Sequence, residues 1–152
     1  DGHVDNLCCF VRAGEVVLTW CDDPADPQYD ISRAAYEVLR TARDSRGKQL
    51  KINKLLQPGP LYMTAAEAAG IEAAPGSRVR RAGERLAGSY VNFYIANRHV
   101  VMPLLDPRRD RQAKALIASL FPGRKVIGIP SREILLGGGN IHCITQQQPR
   151  SK

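Results

Sequence analysis

Two stretches of this chain carry the same succession of hydrophobic patterns, and that repetition narrows the folds open to it. In the first, Asn6 to Arg12 is apolar and β-prone, Ala13-Gly14 is a turn, and Glu15 to Trp20 reads as a second strand. Pro24 and Pro27 break the chain. Gln28 to Thr41 then places Ile31, Ala34, Ala35, Val38 and Leu39 at spacings of three and four, the stripe of an amphipathic helix. Ser45-Arg46-Gly47 turns it, and Gln49 to Leu55 alternates as a third strand. In the second stretch, Ser89 to Ala96 and Val100 to Met102 read as strands, and Asp106-Pro107 reads as a helix start. Ala113, Leu116, Ile117 and Leu120 form a helical stripe ended by Pro122-Gly123, and Lys125 to Ile129 is the third strand. Both orders are β-β-α-β. Phe10-Val11 falls opposite Tyr94-Ile95, Val16-Val17 opposite Val100-Val101, and Asp26-Pro27 opposite Asp106-Pro107, at an offset of about 80 residues. The chain therefore reads as α/β. A lone unit of this kind exposes apolar faces, so two of them call for further neighbours. Between the units, Gln57 to Leu86 has little pattern beyond a helical turn at Thr64-Ala65-Ala66-Glu67. It reads as a connecting excursion that lines a site or covers an edge.

The chemistry-bearing residues lie outside the repeat. Ser131-Arg132-Glu133 reads as the start of a short helix with Ser131 as its cap. After it comes Gly137-Gly138-Gly139-Asn140-Ile141-His142-Cys143-Ile144-Thr145. Three glycines let the backbone turn sharply and come close to a ligand, and bare amide groups in such a turn favour a thiolate. Cys143 is thus a candidate nucleophile; a buried cysteine beside a tight turn is the competing reading. At the other end, Asp1-Gly2-His3-Val4-Asp5-Asn6 sets His3 and Asp5 two residues apart, on one face if the piece is extended. Thiol, imidazole and carboxylate are the minimum kit for cysteine-based nucleophilic catalysis. His142 competes with His3 as the imidazole. If the segment is a strand, though, His142 points away from its neighbour Cys143.

These two motifs, together with SYVNFYIAN at Ser89 to Asn97, resemble the agmatine deiminases of the guanidine-modifying (pentein) superfamily. The resemblance runs from residue 1 to about Pro149. It implies a pentein-type α/β propeller, in which five ββαβ-type units surround a channel holding the active site. By that resemblance this chain supplies about two units, 6–55 and 88–130, and a catalytic segment, 131–149. Because it opens on Asp in mid-motif, it is expected to be the C-terminal part of one longer catalytic domain. The implied reaction is hydrolysis of agmatine to N-carbamoylputrescine and ammonia, within putrescine synthesis, through a covalent thiouronium on Cys143. His3 is the implied general acid and base, and Asp5 holds the guanidinium. Gly138 and Gly139 let the backbone approach the substrate. No cofactor and no metal are implied. Where family members continue the SYVNFYIAN-like segment with glycines, this chain has Arg98-His99, expected as a turn. Deimination of free or peptide-bound arginine is the alternative within the class.

A non-catalytic basic binding module for nucleic acid or another acidic partner is the alternative outside it. The net charge is +7, and the excess gathers in Arg78-Val79-Arg80-Arg81 with Arg85 and in Arg108-Arg109 with Arg111. No aromatics interleave these groups, so they read as solvated faces and no nucleic-acid partner is expected. Cys8, Cys9 and Cys21 fit neither a disulfide framework nor a zinc site; they read as core thiols of a reducing compartment. No apolar run approaches a membrane helix and no signal-peptide pattern opens the chain, so a cytoplasmic location without membrane contact is expected. Two units alone are expected to fold poorly or to associate, as in a homo-oligomer, and to be weakly active or inactive.

Overall fold

In chain order the elements are β1 (Cys8–Arg12), β2 (Glu15–Trp20), α1 (Gln28–Thr41), β3 (Lys51–Leu56) and α2 (Ala65–Ala69), then β4 (Tyr94–Ile95), β5 (His99–Leu104), α3 (Asp110–Leu120), β6 (Lys125–Pro130) and α4 (Arg132–Leu136). The computed structural model describes residues 3–72, 75–76 and 79–148; Asp1, Gly2, Arg78 and Pro149, named above, lie outside the described residues. The expected repeat is present in the topology. Among the described residues there are two three-stranded sheets, β1-β2-β3 and β4-β5-β6, each antiparallel across its first pair and parallel across its second. A parallel neighbour requires a crossover, and α1 and α3 supply it.

One helix lies between the two sheets. Alternation along β2 sends Val17 to one face, and Val17 and Leu55 join Val100, Met102, Val126, Ala113, Ile117 and Leu120 in a single buried cluster. α3 is therefore covered by its own sheet on one side and by the first sheet on the other. Arg12 donates to the Leu120 carbonyl oxygen at the end of α3, and the hydroxyls of Thr19 and Ser89 meet at 2.8 Å across the units. Both ties are partly or wholly buried, where an unmade hydrogen bond is costly.

The second unit departs from expectation at its first strand. β4 is only Tyr94–Ile95, while Tyr90, Val91, Asn92 and Phe93 are buried in non-strand backbone ahead of it. The aromatic and β-branched residues there mark burial rather than a ladder. Phe93 meets Phe121 edge-on at 5.5 Å between ring centroids. The turn expected at Arg98-His99 ends earlier: His99 opens β5, and the Ala96 amide donates to its carbonyl oxygen.

The patternless excursion proves to have a job. It folds as α2 behind a Thr64 cap, with the Thr64 and Glu67 side chains each accepting from the other's backbone amide. Met63 and Leu86 bury against Leu135 of α4, and Glu67 pairs with Arg132 through two hydrogen bonds. The excursion thus braces α4, which aims the glycine turn. Ser131 precedes α4 as expected, but its hydroxyl donates to the Ile129 carbonyl oxygen at 2.7 Å instead of capping the helix.

Candidate active site

The two motifs, at opposite ends of the sequence, meet. Asp5 sits in a 3-10 turn, Val4–Asn6, and Cys143 in another, His142–Ile144. The Cys143 thiol lies 3.2 Å from Asp5 Oδ2, and His142 Nδ1 lies 2.8 Å from the same oxygen. Burial pushes the Asp5 carboxyl up, but the hydrogen bonds from His142 and Cys143 together outweigh it and hold the group below its ordinary value. An ionised carboxylate only accepts, so Nδ1 of His142 carries the hydrogen in this contact.

Asn92 completes the cluster. It is wholly buried, its Nδ2 donates to Cys143 Sγ at 3.2 Å, and its Oδ1 accepts from the His142 backbone amide at 2.9 Å. One side chain therefore fixes both the sulfur and the start of the turn that carries it. Sequence reading passed over Asn92 because it stands in a run taken as strand. The signal was present: a lone amide inside Tyr90-Val91-Asn92-Phe93 has to be paired if that run is buried.

His142 corrects a sequence expectation. In a strand it would point away from Cys143, but successive residues of a 3-10 turn are about 120° apart, so both reach Asp5. The extended geometry expected for His3 and Asp5 also fails, because Asp5 lies inside the helical turn that His3 opens with φ −80 and ψ 101. The His3 side chain is exposed. The contacts that join Asp5, Asn92, His142 and Cys143 do not run through it.

The glycines have distinct reasons to be glycine. Gly137 and Gly138 follow α4, and Gly138 suits no side chain because it takes φ 96 and a Cβ there would stand 2.0 Å from the Arg80 guanidinium. Arg80 in turn donates to the Gly137 carbonyl oxygen at 2.9 Å. Gly139 lies under the thiol: a Cβ on it would stand 2.8 Å from Cys143 Sγ. Asn140 and Asn6, which follow the glycines and Asp5, each keep one buried polar atom without a hydrogen-bond partner among the described residues.

The four cysteines divide sharply. Cys143 is exposed, Cys8 and Cys9 are half-buried and Cys21 is buried. Burial pushes up the thiols of Cys8 and Cys21 and carries Cys9 to about 11, with Cys8 and Asp5 adding to that last shift. Among the described residues, no three His, Cys, Asp or Glu side chains gather to hold a metal ion, and no helix is long and apolar enough to cross a membrane. Several arginines of the basic groups have partners within the chain, although the Arg108 side chain stays 83% exposed. Arg85 makes a two-bond pair with Asp26, Arg108 binds Asp106, and Arg109 donates to the Gln57 carbonyl oxygen.

Residues 1–149 match the profile of the Porphyromonas-type peptidyl-arginine deiminases. This chain belongs to that family. An agmatine deiminase of Pseudomonas fluorescens is 55% identical over 149 residues, which is 98% of this chain and 40% of that protein. A relative from Pectobacterium atrosepticum is 59% identical over 153 residues, covering 100% of this chain and 41% of its own length. Among solved structures, the agmatine deiminase of Enterococcus faecalis catalysing its reaction superposes with a TM-score of 0.90 at 37% identity, over 98% of this chain and 40% of that one. The chain thus spans about two fifths of the length of the curated relatives it matches. The α/β fold expected from the pentein resemblance is borne out by these matches and by the two mixed sheets.

Proposed function

We propose that this chain carries the thiol-bearing part of an agmatine deiminase site, in which Cys143 attacks the guanidinium carbon and ammonia leaves. The observation that carries the reading is the exposed Cys143 sulfur, 3.2 Å from both the Asp5 carboxylate and the Asn92 amide. A delocalised guanidinium is a poor electrophile. It has to be gripped by carboxylate, met by a soft nucleophile, and relieved of an amine as that amine is protonated.

Asp5 does two things in this scheme. It offers the guanidinium N–H groups an ionised acceptor, and in the free site it accepts the thiol hydrogen. A thiolate beside the Asp5 carboxylate sets two anions side by side, and a bound cation relieves that repulsion. The substrate's charge then lies between sulfur and carboxylate, and the thiol proton passes to His3, which returns it to the leaving nitrogen and later takes the proton of the attacking water. Attack on the carbon gives a tetrahedral adduct. Its C–N bond breaks as the leaving nitrogen takes a proton, leaving a thiouronium on Cys143. Water adds to that carbon, loses a proton to the same base, and expels the thiolate with the ureido product, N-carbamoylputrescine. His3 is assigned the proton transfers, and His142 orients Asp5. Gly138 and Gly139 keep the floor of the site free of side chains, and further carboxylates come from the rest of the length that relatives possess. The reaction places the protein in putrescine synthesis, and none of these steps calls on a cofactor.

The family profile favours one second reading, in which the guanidinium belongs to peptide-bound arginine. Ammonia release from agmatine, arginine and an arginyl peptide, with Cys143→Ser as control, separates them. Agmatine is expected to be turned over fastest and the variant not at all. Fastest release from the peptide moves the substrate to the second reading. His3→Ala is expected to slow release by about 10²–10⁴-fold, and the same loss in His142→Ala alone would exchange the two imidazoles. A thiol-directed measurement works whether or not turnover is seen. Alkylation of Cys143 by iodoacetamide should change in rate when guanidinium ion is added, and Asp5→Asn should abolish that response. Cys143 reacting no faster than Cys8, with or without guanidinium, would sink the proposal. Gly139→Ala should slow the alkylation as well, because the new methyl occupies the sulfur's place.

A further inference from the structure

The Asn92 amide is held so that only one of its ends faces the sulfur. A backbone N–H can only donate, so the His142 amide, 2.9 Å from Oδ1, fixes which end of Asn92 is the acceptor. Nδ2 is left toward Cys143 Sγ at 3.2 Å and the Asp5 carbonyl oxygen at 3.4 Å. Asn92 is wholly buried, so water does not compete for its hydrogens. The chain around it is tied down by a directed relay. Thr19 spends its one hydrogen on the carbonyl oxygen of Asn6, next to Asp5, so Ser89 donates to Thr19. The Ser89 hydroxyl in turn accepts from the Val91 amide.

Asp5 cannot take the same part. Its Oδ2 lies at the same 3.2 Å from the sulfur, but an ionised carboxylate only accepts, so it serves the sulfur only while the thiol hydrogen is present. Once the sulfur is an anion, Asp5 opposes it and Nδ2 of Asn92 stabilises it. A hydrogen bond to an ion is stronger than a neutral one, the more so away from water. An uncharged donor also suits a site that receives a cation. Lys or Arg in this place would hold the sulfur anion and repel the guanidinium, whereas Asn92 donates without net charge.

We propose that Asn92 is a catalytic residue, its Nδ2 supplying the hydrogen bond that the Cys143 sulfur keeps whenever it is an anion. That is so as sulfur attacks the guanidinium carbon, and again when the C–S bond breaks and its electron pair returns to sulfur. The proton transfers stay with His3. The role rests on Cys143 being the nucleophile of the deiminase reading. It gives the buried stretch 89–92 a task in the reaction, to carry one donor to the atom that reacts.

Nuclear magnetic resonance of the whole isotope-labelled chain tests the contact whether or not turnover is seen. One Nδ2 proton of Asn92 is expected to move downfield as rising pH ionises Cys143. Cys143→Ser should abolish that movement while keeping Asp5 and His142, which titrate beside it. An Asn92 amide that ignores Cys143 overturns the proposal. Ammonia release from agmatine reads the catalytic part. Asn92→Asp keeps the shape and the acceptor for His142 but loses the donor, and Asn92→Ala loses both without adding charge. In each, kcat is expected to fall about 10–100-fold, the worth of a hydrogen bond to an ion, with KM close to that of the unaltered chain. A loss in Asn92→Asp alone would belong to the added charge and overturn the proposal. So would a rise in KM at unchanged kcat, which would make Asn92 a support of the turn only. No release from the unaltered chain counts against the deiminase reading, and the resonance response still decides for or against Asn92.

Discussion

The two ββαβ units share a strand order, a register and a helical spacing, yet they bury their helices differently. α3 lies between two sheets and supplies the centre of the core, whereas α1 rests on one sheet and leaves Ile31 and Val38 in the open. The lesson is that the stripe on a helix states what it can bury, not what it does bury. Burial is decided by the neighbouring unit.

The largest expected effect tests that asymmetry directly. Ile117→Ala should cost about 2–5 kcal/mol in chemical denaturation, as for a buried large-to-small change, and Leu55→Ala should fall in the same range. Val38→Ala and Ile129→Ala should stay near 0.5 kcal/mol, the usual bound for surface changes. Similar losses at all four positions would break the comparison.

A smaller effect distinguishes how each sheet meets its own helix. In the first unit Lys54 stacks over Trp20 at 3.6 Å. In the second unit the matching positions are Gly128 and Leu104, and a Cβ on Gly128 would stand 2.6 Å from the Leu104 side chain. Gly128→Ala should therefore overpack the second unit by about 1–3 kcal/mol. Lys54→Ala should cost the first only about 0.5–1 kcal/mol, the size of an exposed cation–π contact.

The equivalent carboxylates Asp26 and Asp106 sharpen the comparison through pH. The Arg85 guanidinium holds Asp26 below its ordinary value, and Arg108 holds Asp106 at about 2. A carboxyl whose pKa is lower folded than unfolded binds fewer protons when folded. Its stabilisation is complete above an unfolded value of about 4 and is lost as pH falls toward the folded value. Denaturation midpoints should therefore be flat at neutral pH and fall progressively below about pH 4. Asp106→Asn should flatten that fall more than Asp26→Asn, because Asp106 is the one of the pair held as low as about 2.

Much of this was legible in the residues. The spacing of Ile31, Ala34, Val38 and Leu39 marks α1 over the residues it occupies, and Glu15 to Trp20 is β2 as read. What was hidden has a common cause: backbone whose irregularity is set by distant contacts. Tyr90, Val91 and Phe93 look like strand residues because the core selects the same side chains that a sheet does. His142 looked averted because neighbouring side chains alternate only in extended chain. Cys143 and Asp5 could be named, since a thiol after glycines and a carboxylate beside an imidazole carry chemistry in their types. Asn92 could not, because its role exists only once three segments have met.

That meeting also sets the order of events in folding. Asp5, Asn92 and Cys143 are separated by 87 and 51 residues, and their polar contacts span those distances. None of the three can be positioned by local structure, so loop closure across nearly the whole chain precedes the arrangement around the sulfur. A polypeptide that is still emerging or partly unfolded carries Cys143 as an ordinary thiol. The site's chemistry is then a late acquisition, withheld from stray electrophiles until the final geometry is in place.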